Sequence, residues 1–193
     1  MNFGQSTYRP MGRPHGGGGW DAVNAVFLTW RLHGTLAYLR KPTTGGIPDL
    51  AFAAFDRALD TAASGPRWLE HPAIAQCVVE ALRYGERHRG LYDLAAYCVM
   101  PNHVHLVLEP KAPLAEISKA MRGFIERTAN QILSRRGEPF WHNDGCDRWI
   151  RSANERNRMA EYTEANPVSA GLIKVAEQWP WSSASHALTV QLT

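Results

Sequence analysis

Cysteine is scarce in this sequence, net charge is low, and no long apolar run occurs. The 193 residues include only three cysteines, Cys77, Cys98 and Cys146. Their odd number and irregular spacing exclude a disulfide framework and match no metal-binding pattern. A reducing, cytoplasmic setting is therefore expected. The longest apolar stretches are broken by Arg, Asp or Gly, so no membrane-spanning helix is expected. The first twenty residues lack an apolar central region, so no secretory leader is read there. A net charge of +3 permits a nucleic-acid partner without demanding one.

What is present is a composition that can build a core, with 45% of residues hydrophobic. One domain with short appendages suits this length. Residues 1–20 read as a flexible Gly-rich tail, since Met11 to Gly19 has no periodicity. Residues 21–185 read as the folded domain and 186–193 as a C-terminal tail.

Alternation of apolar and β-branched residues predicts a first strand over Val23 to Leu32. A loop follows over Lys41 to Pro48. Asp49 opens a helix running to Ala63, with Leu50, Phe52, Phe55, Ala58 and Leu59 at helical spacing. A second helix spans Pro72 to about His88. Strands are predicted over Leu91 to Met100 and His103 to Glu109, joined by the Pro101-Asn102 turn. A long helix covers Pro113 to about Arg136. A short strand follows over Asp147 to Arg151. The last helix runs from Asn154 to Ala165, where Asn166-Pro167 is expected to close it. If the first two helices form one crossover layer, the order is βαββαβ plus a C-terminal helix. The expected fold class is thus α/β (α+β), a ferredoxin-like split βαβ with an antiparallel sheet and helices on one face.

The most informative segment is Pro101-Asn102-His103-Val104-His105. On a strand, residues i and i+2 face the same side, so both imidazoles project together, about 7 Å apart along the backbone. Two rings so placed can converge on one metal ion, while Val104 packs on the opposite face. On the last helix, Tyr162 and Asn166 are four residues apart and share a face. A carboxamide oxygen is a competent third ligand for a hard metal, and a phenol is a competent nucleophile. Periodicity alone equally allows Met159 and Tyr162 to be core residues, and Asn-Pro to be a plain helix stop. Arg122 and Arg127 on the long helix, and Arg148, Arg151 and Arg158 around the tyrosine helix, offer forks for phosphate. Trp141 and Trp149 offer faces for unpaired bases.

Four blocks carry a resemblance. They are Thr29-Trp30-Arg31-Leu32-His33-Gly34-Thr35; Tyr97 to Leu106; Pro139-Phe140-Trp141 with Asp147 to Arg151; and Tyr162 with Asn166 to Ile173, then Trp179 to Ser183. In order and spacing, over residues 23 to 183, the chain resembles the HUH single-tyrosine transposases, most closely the REP-associated tyrosine transposases. The resemblance implies metal ligation by His103 and His105, with Asn166 where the family places a carboxamide, and Tyr162 as nucleophile. It implies Mg or Mn as cofactor, although imidazoles by themselves prefer Zn, Ni or Cu. It implies single-stranded DNA carrying hairpins as substrate, cleaved through a 5′-phosphotyrosine. His142 departs from the Gln expected after Phe140-Trp141. The short link before the tyrosine helix favours a site completed within one chain. Two other readings stay open: a nuclease of the same fold that uses water, and a non-catalytic hairpin-binding protein.

Overall fold

The computed structural model describes residues 24–36, 49–62, 64–143 and 146–185. The two tails and the loop expected over 41–48 lie outside the described residues. The elements are β1 (Ala25–Arg31), α1 (Asp49–Asp60), α2 (Pro72–Arg87), β2 (Tyr92–Val99), β3 (His103–Pro110), α3 (Leu114–Ile132), β4 (Cys146–Ile150) and α4 (Ala153–Ser169). The four strands form one sheet in the order β2-β3-β1-β4, and every neighbouring pair is antiparallel. This is the expected split βαβ arrangement, with β1 and β3 in the centre. No helix among the described residues is long and apolar enough to cross a membrane.

Alternation along the strands divides the interior into two parts. Val26, Leu28 and Trp30 of β1 and Val104, Leu106 and Leu108 of β3 face α2 and α3, where Ile74, Val78, Leu82, Ile117 and Ile125 complete the main core. Each such large buried side chain contributes about 1.5–3 kcal/mol. The opposite face holds a smaller cluster, in which Phe27, Val107 and Ile150 meet Met159 of α4 and Phe55 of α1.

Two expectations are corrected. First, α1 does not share a layer with α2. It lies on the opposite face, beside α4, with Phe55 against the smaller cluster and Asp56 fully buried. The reason is polar: Asp56 and Asp60, one helical turn apart, both face histidines on that side of the sheet. The largely apolar surface beneath α2 and α3 offers no histidine to either carboxylate. Second, Asn166-Pro167 does not end α4, which continues through Pro167 to Ser169. Proline at 167 forfeits one helical bond, the one its missing N–H would give to Thr163 O, and the helix closes beyond it with the Ala170 N–H donating to Asn166 O at 2.9 Å. The stop is Gly171 at φ 71°. Its N–H bonds Val168 O at 3.0 Å while the Leu172 N–H bonds Pro167 O at 2.9 Å, a Schellman ending that needs the left-handed conformation glycine adopts freely.

The outer edge of β2 is covered by the segment after α4. The Val99 N–H donates to Trp181 O at 2.9 Å, Trp179 Nε1 donates to Val99 O at 3.0 Å, and the Tyr97 N–H donates to Ser183 Oγ at 3.1 Å. That pairing hides a strand edge that would otherwise invite another chain.

Gly85 marks the tightest approach of α2 to its neighbours. A Cβ there would collide with Tyr92 Oη and come within 2.9 Å of Met121 Sδ. Tyr92 Oη donates to Leu82 O at 2.8 Å and has little room to retreat. Alanine gains about 1 kcal/mol of helix propensity over glycine, whereas overpacking costs about 1–3 kcal/mol and a broken buried hydrogen bond about 1 more. Gly85→Ala should therefore destabilise the fold by about 1–3 kcal/mol in urea denaturation, and an unchanged or raised midpoint would contradict this packing.

Candidate active site

The site is built on the face of the sheet that α1 and α4 cover. Antiparallel pairing sets Thr29 opposite His105 and Arg31 opposite His103, so all four side chains project to that face. His103 and His105 are fully buried, with ring centroids 4.5 Å apart. Among the described residues, Asp56, His103 and His105 offer ligand atoms that all lie within 4.8 Å of one another.

Each imidazole is held from behind. His103 Nδ1 lies 2.6 Å from Asn102 Oδ1. An amide oxygen only accepts, so Nδ1 carries the proton and Nε2 presents its lone pair to the site. His105 Nδ1 lies 3.0 Å from Thr29 Oγ1. On the other side, His105 Nε2 stands 2.9 Å from Asp56 Oδ1, and His103 Nε2 stands 3.8 Å from Asp60 Oδ1. These four atoms and Asn166 Oδ1 are buried without a hydrogen-bond partner. Buried polar atoms are rarely left so. Converging lone pairs from imidazole and carboxylate are what a divalent cation would satisfy. Two donors on adjacent positions of an octahedral ion stand about 3 Å apart, close to the His105–Asp56 separation. The residues present therefore fit a metal.

Asp56 is the hub. Its Oδ2 accepts a hydrogen bond from the Tyr162 phenol and a second from Asn166 Nδ2 at 3.3 Å. Tyr162 is partly exposed, at 36%, and Asn166 is buried, so the tyrosine ring lies at the rim with its oxygen turned inward. Burial opposes the charge on Asp56, but the close contact with His105, the nearby His103 and the hydrogen bond from Tyr162 hold the carboxyl below its usual range. Burial, then the neighbouring imidazole of His105, hold His103 well below the usual histidine range, against the pull of Asp56. It is neutral, as a ligand must be. Burial and the adjacent Asp56 charge hold the Tyr162 phenol above its usual range, so it stays protonated and donates. Asp60 is pushed up to about 6 by burial and by Asp56, with His105 opposing.

Of the residues singled out in the sequence, His103, His105, Tyr162 and Asn166 converge within one chain. Asn166 meets Asp56 through its nitrogen, and its oxygen faces the buried group without a partner. Asp56 and Asp60 were not singled out. The available signal was a pair of acids one turn apart beside the Phe55 and Leu59 stripe of α1. A small crevice opens beside His103, lined by Asp60, Arg67, Asn102, Ala170 and Leu172.

The proposed nucleic-acid contacts divide. Trp141 is buried, edge-on to Trp30 at 6.1 Å, and its Nε1 donates to Arg122 O at 3.2 Å. No ring face is left for a base, which corrects that assignment. Trp149 is partly buried against the main core. Arg122 is buried too, and its Nη2 donates to His142 O at 2.5 Å. Its role is internal. Arg148 pairs with Glu155 at 2.5 Å. Arg127 is exposed on α3, across the sheet from the histidines, whereas Arg151 and Arg158 are exposed on the tyrosine side. Arg158 precedes Tyr162 by one helical turn. His142 is half-buried against the Arg31 guanidinium, with Nε2 at 3.2 Å from Nη2.

No protein-family model and no curated protein matches this sequence. A solved structure of a REP-associated tyrosine transposase bound to a REP hairpin shares the fold, with a TM-score of 0.55 at 14% identity, over 94% of this chain and 88% of that one. At that identity the likeness is one of fold.

The carboxylate pair on α1 has a measurable consequence in metal-free protein. Asp60 titrates near 6 in the folded chain against 3.8 unfolded. Its raised value means that folding favours the protonated acid, so this contribution is complete at low pH and is lost as pH rises from about 4 through about 6. Asp60→Asn removes that loss. In thermal melts with chelator, the variant should be more stable than wild type at pH 7.5, by about 1 kcal/mol after allowance for solvent screening, and no more stable at pH 4. A loss of stability at pH 7.5 would mean that Asp60 is stabilising as an ion.

Proposed function

We propose that this chain is a metal-dependent endonuclease and strand transferase that acts on single-stranded DNA carrying hairpins, through a 5′-phosphotyrosine at Tyr162. One observation carries the reading: the Tyr162 phenol and ring nitrogens of His103 and His105 gather around the buried carboxylate of Asp56. A common fold with a hairpin-bound transposase supports it.

Asp56, His103 and His105 would hold the cation, with the Asn166 oxygen nearby as a further donor. A carboxylate among imidazoles moves the preference towards Mg or Mn, compared with two imidazoles alone. When bound, the ion supplies Lewis-acid polarisation of a non-bridging phosphate oxygen. The chain's own residues do the rest. Asp56 Oδ2 orients the phenol and accepts its proton as the Tyr162 oxygen attacks phosphorus. The Tyr162 O–P bond forms, the P–O3′ bond breaks, and the departing 3′ oxygen takes a proton from water. The downstream strand is left joined to Tyr162 by its 5′ phosphate, so the bond energy is kept for rejoining. Asn166 Nδ2 steadies Asp56 from the same helix. Because α4 reaches Asp56 of its own chain, the reading is of a site complete in one protomer. Arg151 and Arg158 are the exposed cations suited to the backbone flanking the scissile phosphate.

The decisive experiment is adduct trapping with a 3′-labelled single-stranded hairpin oligonucleotide and Mg or Mn. Wild type should yield a labelled protein and an upstream fragment with a free 3′-OH. Tyr162→Phe should form no adduct yet bind the oligonucleotide within about threefold, since phosphate contacts dominate affinity. A Tyr162→Phe protein that still cleaves would favour the water-using nuclease. Binding without cleavage by wild type would favour the non-catalytic protein. His103→Ala should lower cleavage at least about 100-fold, because the Lewis acid stabilises the transition state by several kcal/mol.

Arginine roles separate by salt dependence. Arg151→Ala and Arg158→Ala should each reduce the slope of log K against log salt by about 0.7, the value for one single-strand phosphate contact. Arg122→Ala should instead lower the melting temperature and leave that slope unchanged. A slope change for Arg122→Ala equal to those of the two exposed arginines would return it to the DNA interface.

A further inference from the structure

Asn102, the residue before the histidine pair, makes two hydrogen bonds through its side chain. Asn102 is 4% exposed. Its Nδ2 donates to the main-chain oxygen of Leu59 at 2.9 Å, and its Oδ1 accepts from His103 Nδ1 at 2.6 Å. Leu59 lies in the last turn of α1, between Asp56 and Asp60. The Nδ2 bond fixes which way the amide points, because only nitrogen can face a carbonyl. With the amide fixed, its oxygen must face His103. That in turn fixes the proton on Nδ1 and the lone pair on Nε2.

We infer that Asn102 is the positioning residue of the site, a two-ended clamp that ties the tautomer of His103 to the docking of α1. The inference rests on the metal reading for its purpose but not for its geometry. One end acts on a ligand that β3 supplies, the other on the helix that supplies the carboxylate. A side chain of this shape therefore assembles donors from two elements at once. No other uncharged side chain of similar size offers both a donor and an acceptor at that reach, since glutamine is one methylene longer and serine too short to span both. The same clamp explains why the buried Nε2 of His103 and Oδ1 of Asp60 face each other across 3.8 Å with no hydrogen bond between them. With its proton on the far nitrogen, Nε2 has none to give.

Two substitutions separate the two ends. Asn102→Ala removes both bonds. Asn102→Asp keeps an acceptor for His103 and removes the donor to Leu59 O. Three measurements on the full chain read the effects: ¹⁵N shifts of the His103 ring in metal-free protein, amide exchange at Thr61 and Ala62, and Mn²⁺ affinity by titration. Wild type should show one neutral His103 tautomer with the proton on Nδ1. Asn102→Ala should show a mixture of tautomers, faster exchange at both amides, and Mn²⁺ binding about 10–100-fold weaker, the usual effect of losing a partner behind a ligating histidine. Asn102→Asp should keep the Nδ1–H tautomer and still exchange faster at Thr61 and Ala62. Should Asn102→Ala fail to fold, the aspartate variant carries the test alone. A single retained tautomer in Asn102→Ala, or loss of it in Asn102→Asp, overturns the tautomer lock. Unchanged exchange in both variants overturns the link to α1. If the tautomer behaves as stated while wild type binds no Mn²⁺, the clamp stands and the metal reading falls.

Discussion

The structure on this side of the sheet depends on one buried carboxylate that has to be satisfied. Asp56 is fully buried, and an isolated carboxylate in such a place would be prohibitively destabilising. It is tolerated because two elements send it three partners: His105 from β3, and Tyr162 and Asn166 from α4. Docking of α1, orientation of α4 and presentation of the histidines are thus one event. None of the three elements can be moved without leaving a charge or a polar atom unpaired.

The two faces of the sheet divide the labour. The face under α2 and α3 holds the larger apolar cluster and carries most of the hydrophobic stabilisation. The face under α1 and α4 has a small apolar cluster around Phe27 and Val107, then gives way to Thr29, Arg31, His103 and His105. Two carboxylates one turn apart, facing two buried imidazoles, are not an arrangement that maximises stability. Unsatisfied lone pairs converge there at a cost the larger core can offset. A cation would relieve both the repulsion between the acids and the missing hydrogen bonds.

Arginine behaviour shows why charge alone is a poor guide to a binding surface. Arg122 and Arg148 have the side chain that phosphate recognition needs, and both are engaged with the protein itself. Trp141, an aromatic beside a basic cluster, is a core residue packed on Trp30. Sequence proximity to a candidate site does not tell whether a long side chain turns outward or folds back.

The order of strands and helices, the split βαβ arrangement and the shared face of the two histidines were all legible in the sequence. They follow from periods of 2 and 3.6 residues and from turn residues, which are local. The common helix face of Tyr162 and Asn166 was legible for the same reason. The end of α4 was not, because proline excludes only one bond whereas the ending is set by the conformation of Gly171 four residues later. Asp56 was not either. Its identity as an acid on an amphipathic helix is local, but its importance lies in what stands opposite, and that depends on which face of the sheet α1 covers. Local periodicity fixes which residues can act together along one strand or one helix. Which strand faces which helix is settled by packing in three dimensions, since burial of a charge is governed by partners brought from distant parts of the chain.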